Sequence, residues 1–130
     1  SKLKKLPEWN KKRQELAEVY SAELAGIKAL QVPQVTKDSA SVWHVYCLQV
    51  LDGSRDKLID FLTKNDIATN IHYPLPIHLQ EAYTGLGYKK GDFPLSEKQS
   101  DQALSLPLDQ YHSREEILAV TKKIREFYHG

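Results

Sequence analysis

The chain has 130 residues, and its 18 lysines and arginines against 17 aspartates and glutamates give a net charge of +1 at pH 7. This length fits a single domain, residues 1–130, with a hydrophobic core of its own. A nearly neutral chain creates no broad positive field, so we expect neither a nucleic-acid partner nor an anionic membrane. The basic cluster around Lys4 and Lys12 is interleaved with glutamates, which is typical of a solvent-exposed helix face.

Cysteine content and hydropathy indicate the cellular compartment. The one cysteine, Cys47, lies in an apolar segment, where it forms no disulfide within the chain and is typical of a small buried side chain. No apolar run has the length of a membrane span, and no signal-peptide pattern is present. We therefore expect a cytoplasmic protein. Since a helical pattern begins within the first six residues, with no preceding turn, we also expect a segment of a longer protein.

The first half of the chain predicts a helix, a strand and a second helix. A helical spacing of apolar residues begins near Pro7 and ends at Gly26. An extended linker follows, and residues 41–51, rich in valine, tryptophan and tyrosine, give the strongest strand signal. The two faces of this strand have similar polarity, so we expect both to be covered. Ser54 is placed to cap a short helix that ends near Asn65.

The second half predicts two further strands and three helices. Its elements are a strand at residues 67–73, a short helix at 77–83, a helix from Pro94 to about Ala103, and a brief strand at 104–106. Ser113 and Glu116 form a capping box that begins the amphipathic closing helix. This order of elements predicts an α+β fold, in which a small sheet of about three strands is covered by helices.

A candidate site lies in residues 71–80, where His72, Tyr73 and His78 come close together in sequence. Two prolines stiffen the backbone of this segment and favour extended neighbours. One interpretation is a binding edge, in which His72 and His78 donate hydrogen bonds to a phosphate or a sugar hydroxyl and Tyr73 adds a hydroxyl and a flat surface. The alternative is a rigid connection whose histidine and tyrosine only fill the domain surface.

The remaining polar residues carry weaker signals. His72 and His78 have no carboxylate between them, so we expect no metal site. No serine or cysteine shares a motif with a histidine and an acid, so nucleophilic catalysis is not predicted. His44 is typical of a hydrogen-bonded core histidine, whereas His112 and His129 are expected to be solvent-exposed.

Several ordered motifs together resemble a known family. They are Trp9-Asn10-x-x-Arg13, Val42-Trp43-His44-x-Tyr46, Ile71-His72-Tyr73-Pro74-x-Pro76-x-His78-Leu79-Gln80, Gly91-Asp92-Phe93-Pro94 and Leu104-Ser105-Leu106-Pro107. The sequence resembles the C-terminal small domain of the DegT/DnrJ/EryC1/StrS sugar aminotransferases over nearly its whole length. The third motif most resembles members that aminate the C3 ketone of a nucleotide-linked, often dTDP-linked, deoxyhexose.

The resemblance implies the aspartate-aminotransferase fold of fold type I enzymes. In that fold pyridoxal 5'-phosphate (PLP) is held mainly by a large N-terminal domain and by the partner subunit of a homodimer. The large domain and its PLP-binding lysine have no counterpart in this sequence. We therefore expect no catalytic residue in this chain, no PLP bound by it alone, and no activity in isolation. In the full-length enzyme, glutamate is expected to donate the amino group that reaches the nucleotide sugar.

The resemblance also places His72 and Tyr73 at the edge of the active site, facing the sugar or its phosphates, with His78 just behind them. It implies that the first helix docks onto the large domain, so the isolated chain exposes an apolar face that favours association. Two alternatives stay open. One is a PLP-dependent sugar dehydratase of the same family, in which histidine replaces the PLP-binding lysine. The other is a non-enzymatic module that binds a nucleotide sugar or a partner protein.

Overall fold

The computed structural model describes residues 2–129, and Ser1 and Gly130 lie outside the described residues. Within this range, three strands form one antiparallel sheet in the order β1-β2-β3, and four α-helices accompany it. The strands are β1 (Leu30–Gln31), β2 (Tyr46–Val50) and β3 (Ala103–Leu106), and the helices are α1 (Leu6–Leu24), α2 (Arg55–Thr63), α3 (Pro94–Gln102) and α4 (Arg114–His129). Short 3-10 helices span Lys2–Lys5, Ile77–Leu79 and Glu81–Leu86. The predicted α+β fold with a three-stranded sheet is confirmed.

The central strand β2 has one fully buried face and one partly covered face. Tyr46, Leu48 and Val50 are buried, whereas Cys47 and Gln49 between them are half-buried. The alternation follows from the pleat, which points successive side chains to opposite faces. Full cover of both faces, and a buried Cys47, were predictions that the structure corrects, because only the face towards α1 and α4 carries the hydrophobic core.

The strand predicted at residues 41–51 is shorter in the structure and begins at Tyr46. Trp43 has a φ angle of 49°, and this left-handed conformation interrupts the extended backbone. The Trp43 ring stacks on Tyr46, with 5.6 Å between the ring centroids. His44 therefore lies outside the sheet and is exposed, so its prediction as a core histidine is wrong. The two-residue strand β1 is not predicted, because two residues are too few to show an alternating pattern.

The core lies between the sheet and helices α1 and α4. Tyr20 of α1 and Tyr46 of β2 are fully buried, with 4.8 Å between their ring centroids. The Tyr20 hydroxyl donates to the carbonyl oxygen of Pro107 at 2.8 Å, and the Tyr46 hydroxyl lies 3.0 Å from Oγ of Ser21. Burial raises the pKa of both phenols, that of Tyr46 to about 12. Both phenols therefore stay neutral, and both hydroxyls have a hydrogen-bond partner within the core.

The two predicted helix caps have different outcomes. The capping box of α4 is confirmed, because the Ser113 N–H donates to Glu116 Oε2 at 2.7 Å and the Glu116 N–H donates to Ser113 Oγ at 3.1 Å. The cap predicted for α2 is wrong, because the Ser54 side chain makes no capping hydrogen bond. Its hydroxyl instead donates to Asp52 Oδ1 at 2.6 Å, and this hydrogen bond lowers the pKa of Asp52. Since the serine hydrogen goes to Asp52, the Tyr128 hydroxyl, 3.0 Å away, donates to the same Oγ atom, which a cap would use to accept a backbone N–H.

Residues 67–73 form one bridge to β3 instead of the predicted strand. The Asn70 N–H donates to the Ser105 carbonyl at 3.1 Å, and the Ser105 N–H donates to the Asn70 carbonyl at 2.8 Å. The Ile71 N–H points away from β3 and donates to the Oδ1 atom of Asn70 at 2.8 Å, and Pro74 has no N–H with which to continue the pairing. The short helix predicted at residues 77–83 is two successive 3-10 helices. Residues 71–80 therefore form a loop that is anchored on β3.

Candidate functional site

His72 and Tyr73 lie where the loop leaves β3, and they differ strongly in exposure. The half-buried His72 places Nδ1 2.9 Å from the Oγ atom of Ser105, a buried residue of β3. This contact leaves Nε2 as the ring nitrogen for a ligand. Tyr73 is 70% exposed, and its ring meets that of His72 edge-on at 5.4 Å between centroids. The loop thus presents one anchored imidazole beside one free phenol.

His78, the third predicted site residue, faces the protein. Its Nε2 atom lies 3.0 Å from Oε1 of Glu97, and only 8% and 13% of the two side chains are exposed. The same Glu97 oxygen accepts the N–H of Gly91 at 2.8 Å and the N–H of Phe93 at 3.4 Å. These hydrogen bonds, led by that from Gly91, lower the pKa of Glu97. A contact between His78 and a ligand stays a prediction, and its Nε2 atom already has a partner.

A pocket of about 630 Å³ opens beside Tyr73 and His78. Its walls come from the loop, the two 3-10 helices after it and the first turns of α3. Aromatic and aliphatic side chains dominate the lining, among them Leu75, Ile77, Tyr83, Tyr88 and Phe93, and glutamine and serine side chains supply its polar edge. Sequence reasoning missed this pocket, although the aromatic residues spaced among glycines at positions 83–93 are a signal that was available. A concave apolar surface next to a few polar groups is the usual form of a ligand site.

The other predicted candidates lie away from this pocket. The half-buried His112 accepts the N–H of Asp109 at 3.2 Å through Nδ1, so its prediction as a solvent-exposed residue is wrong. The exposure predicted for His129 is confirmed. Arg13, from the predicted solvent-exposed basic face, is half-buried and donates to the Val42 carbonyl oxygen at 3.1 Å. Among residues 2–129, no group of three histidine, cysteine or acidic side chains converges as a metal site would require.

The comparison with protein families matches residues 1–125 to the DegT/DnrJ/EryC1/StrS aminotransferase family. The chain belongs to this family. Membership confirms the resemblance carried by the ordered motifs, including the one that contains His72, Tyr73 and His78. No helix within residues 2–129 is long and apolar enough to span a bilayer.

Two relatives and one solved structure show how much of a family member the chain represents. It is 39% identical over 114 residues to the erythromycin biosynthesis sensory transduction protein EryC1 of Saccharopolyspora erythraea, over 88% of this chain and 31% of that protein. It is 35% identical over 126 residues to a dTDP-3-amino-3,4,6-trideoxy-alpha-D-glucose transaminase of Streptomyces venezuelae, over 97% of this chain and 33% of the relative. The crystal structure of S. venezuelae DesV in complex with a ketimine intermediate matches with a TM-score of 0.94 and 34% identity, over 98% of this chain and 34% of DesV. The chain therefore spans about a third of the length of each of these family members.

The pocket of this family member does not fit PLP. An enzyme of this class needs a lysine at the cofactor and hydrogen-bond donors at the cofactor's phosphate. None of the pocket's lining residues is lysine or arginine, and no lysine between residues 2 and 129 is buried. We therefore assign no PLP-binding residue to this part of the chain. The pocket's lining is mainly apolar, and its polar groups come from Tyr73, His78 and the glutamine and serine side chains.

Proposed function

We propose that this chain is the sugar-facing part of a PLP-dependent aminotransferase, which moves an amino group from glutamate to a nucleotide-linked keto-deoxysugar. A dTDP-linked sugar is the proposed substrate, because a 35% identical relative is named as a dTDP-aminosugar transaminase. One observation of the site carries the assignment: the anchored imidazole of His72 lies beside the exposed phenol of Tyr73, and Tyr73 lines an apolar pocket. Sugar hydroxyls and phosphate oxygens need donors of this kind.

The tautomer of His72 follows from the ligand that it is proposed to bind. A phosphate oxygen only accepts hydrogen bonds, so the Nε2 atom of His72 must carry a hydrogen to contact it. The neutral ring then has a lone pair on Nδ1, which accepts the hydroxyl hydrogen of Ser105 across 2.9 Å. The Ser105 contact is therefore compatible with the donor form of the ring. The Tyr73 hydroxyl rotates freely, and it donates to or accepts from a sugar hydroxyl.

The remaining parts of the activity are proposed to lie outside this chain. The chain spans about a third of its relatives' length, and its pocket does not fit PLP. We infer that PLP, when bound elsewhere in a homodimeric gene product, supplies the amino-transfer chemistry. Residues of this chain bind and orient the sugar nucleotide, and none of them is catalytic. The 130-residue chain alone is expected to be inactive.

A binding role without catalysis is the second candidate. It is favoured by the name of the 39% identical EryC1, which describes a sensory transduction protein. The exposed phenol and the apolar pocket would serve that role equally well, because both roles need a ligand surface.

The experiment that tests the proposal uses the gene product that contains this chain. It is purified, its absorbance is scanned for PLP, and it is incubated with glutamate and a dTDP-linked 3-keto-6-deoxyhexose. Formation of 2-oxoglutarate together with the amino sugar supports the proposed function. Binding of the sugar nucleotide without amino transfer, in a PLP-loaded protein, contradicts it. Binding of the sugar nucleotide by a protein that contains no PLP favours the binding role without catalysis.

A further inference from the structure

One carboxylate oxygen joins three separate backbone segments at the edge of the pocket. Glu97 Oε1, in the first turns of α3, contacts His78 of the 3-10 helix Ile77–Leu79 and accepts the backbone N–H groups of Gly91 and Phe93. An ionised carboxylate only accepts hydrogen bonds, so the Nε2 atom of His78 is the donor in this pair. A charge-assisted bond between two largely buried side chains holds its geometry firmly.

The aromatic lining of the pocket is stacked onto this pair. The Phe93 ring lies 4.8 Å from the His78 ring, between centroids, and the Tyr88 ring meets Phe93 edge-on at 5.0 Å. All three rings line the pocket, as does Tyr73. The position of His78 therefore determines the position of this aromatic wall, formed by the Phe93 and Tyr88 rings, relative to the Tyr73 phenol.

The pair lies apart from the hydrophobic core of the domain. Within the described residues, the core cluster contains no residue between Ile67 and Leu104. The residues from position 81 to 96 are exposed throughout. The local structure around His78 and Glu97 therefore depends on its own hydrogen bonds, and its loss should leave the sheet and the packing of α1 on α4 intact.

We propose that His78 and Glu97 are positioning residues, which fix the aromatic wall of the pocket beside Tyr73 and thereby set the affinity for the sugar nucleotide. This inference rests on the proposed function, and it replaces direct ligand contact as the role of His78. The His78 ring lines the pocket, but its Nε2 atom is engaged by Glu97 and gives no hydrogen bond to the substrate. The pair acts by holding Phe93 and Tyr88 in place while the substrate contacts Tyr73 and His72.

The first test measures KM and kcat for the sugar nucleotide in the active gene product. His78→Ala and Glu97→Ala should each raise KM by about tenfold, which is the loss of one charge-assisted hydrogen bond, with kcat within about twofold. The double variant should be no worse than Glu97→Ala, because that substitution already removes the contact with His78. His78→Gln keeps an N–H donor and should restore most of the affinity. Glu115→Ala, on the exposed face of α4, is the matched control and should change neither constant.

Two kinetic results would overturn the inference. An unchanged KM in both alanine variants shows that the pair does not position the pocket. A raised KM in His78→Ala alone, with Glu97→Ala unaffected, shows that His78 contacts the substrate directly. Failure of the proposed function looks different, since the unmodified protein then fails to aminate the sugar nucleotide.

The second test needs no substrate. Hydrogen exchange in Glu97→Ala should speed up at the amides of Gly91 and Phe93, whose acceptor is removed, and stay unchanged in β2. Unchanged exchange at those two amides contradicts the positioning role proposed for His78 and Glu97. Faster exchange in β2 as well shows that the pair stabilises the whole domain, which also overturns a positioning role.

Discussion

The Nδ1 atom of His72 lies 2.9 Å from the Oγ atom of Ser105, although 33 residues separate them in the chain. Ser105 is only 4% exposed, and its backbone also exchanges two hydrogen bonds with Asn70, two residues before the histidine. One buried residue of β3 therefore holds both the backbone and the side chain of the site. The orientation of the imidazole is set by β3, and the loop presents this imidazole beside the exposed Tyr73 phenol.

Replacing Ser105 by alanine tests this relationship. We expect KM for the sugar nucleotide to rise by about fivefold in the active gene product, since the net value of one hydrogen bond is about 1 kcal/mol. The ¹⁵N NMR shift of His72 Nδ1 should change, because this atom loses its hydrogen bond with the serine hydroxyl. Thr63→Val, at the exposed end of α2, is the control for removal of a hydroxyl. An Nδ1 shift that does not change in Ser105→Ala would show that the serine does not hold the His72 ring.

Replacing His72 by alanine separates sugar binding from cofactor binding. In the gene product, we expect amination of the sugar to weaken by roughly tenfold to a hundredfold, because a hydrogen bond to a charged phosphate contributes about 1.5–3 kcal/mol. The PLP content, read from absorbance, should stay at the level of the unmodified protein. His129→Ala, at the exposed end of α4, is the matched histidine control. Equal losses of sugar amination and PLP content would contradict the proposal that His72 faces the sugar.

The fold was largely predictable from sequence, whereas the site was predictable only in its residue types. Strong local signals predicted β3, the start of α3 at Pro94 and the capping box at Ser113, and each is confirmed. The strand expected at residues 67–73 is reduced to one bridge at Asn70, and Pro74 has no N–H with which to continue the pairing. The partners of His72 and His78 lie 33 and 19 residues away, so no pattern within the loop reveals them.

The stability of the domain should depend on the buried face of β2. Leu48 is fully buried at the centre of the sheet, and replacing it by alanine removes contacts and leaves a cavity. We expect the free energy of unfolding, measured by urea titration, to fall by about 2–5 kcal/mol. Leu95→Ala is the matched control, because this leucine is 83% exposed and its loss should change the free energy of unfolding by less than about 0.5 kcal/mol. Similar losses in both variants would contradict a core confined to the sheet and the helices around it.

The capping box of α4 predicts a pH dependence of stability. Hydrogen bonds from the backbone N–H and the hydroxyl of Ser113 lower the pKa of Glu116, so the folded protein binds a proton here less readily than the unfolded chain. Such a carboxylate stabilises the folded state above its unfolded-state pKa of about 4.3, and the contribution is lost as the pH falls through the lower folded-state value. Glu116→Gln keeps an acceptor for the Ser113 N–H and removes the charge.

We therefore expect the thermal midpoint of Glu116→Gln to lie below that of the unmodified chain at pH 7, and the two to converge as the pH falls below about 4. Circular dichroism melts at several pH values measure this difference. Glu115→Gln is the control, because it removes the same charge from the same helix turn without a capping partner at Ser113. A difference between Glu116→Gln and the unmodified chain that stays constant from pH 7 to pH 3 would mean that the carboxylate charge is not what the capping box uses.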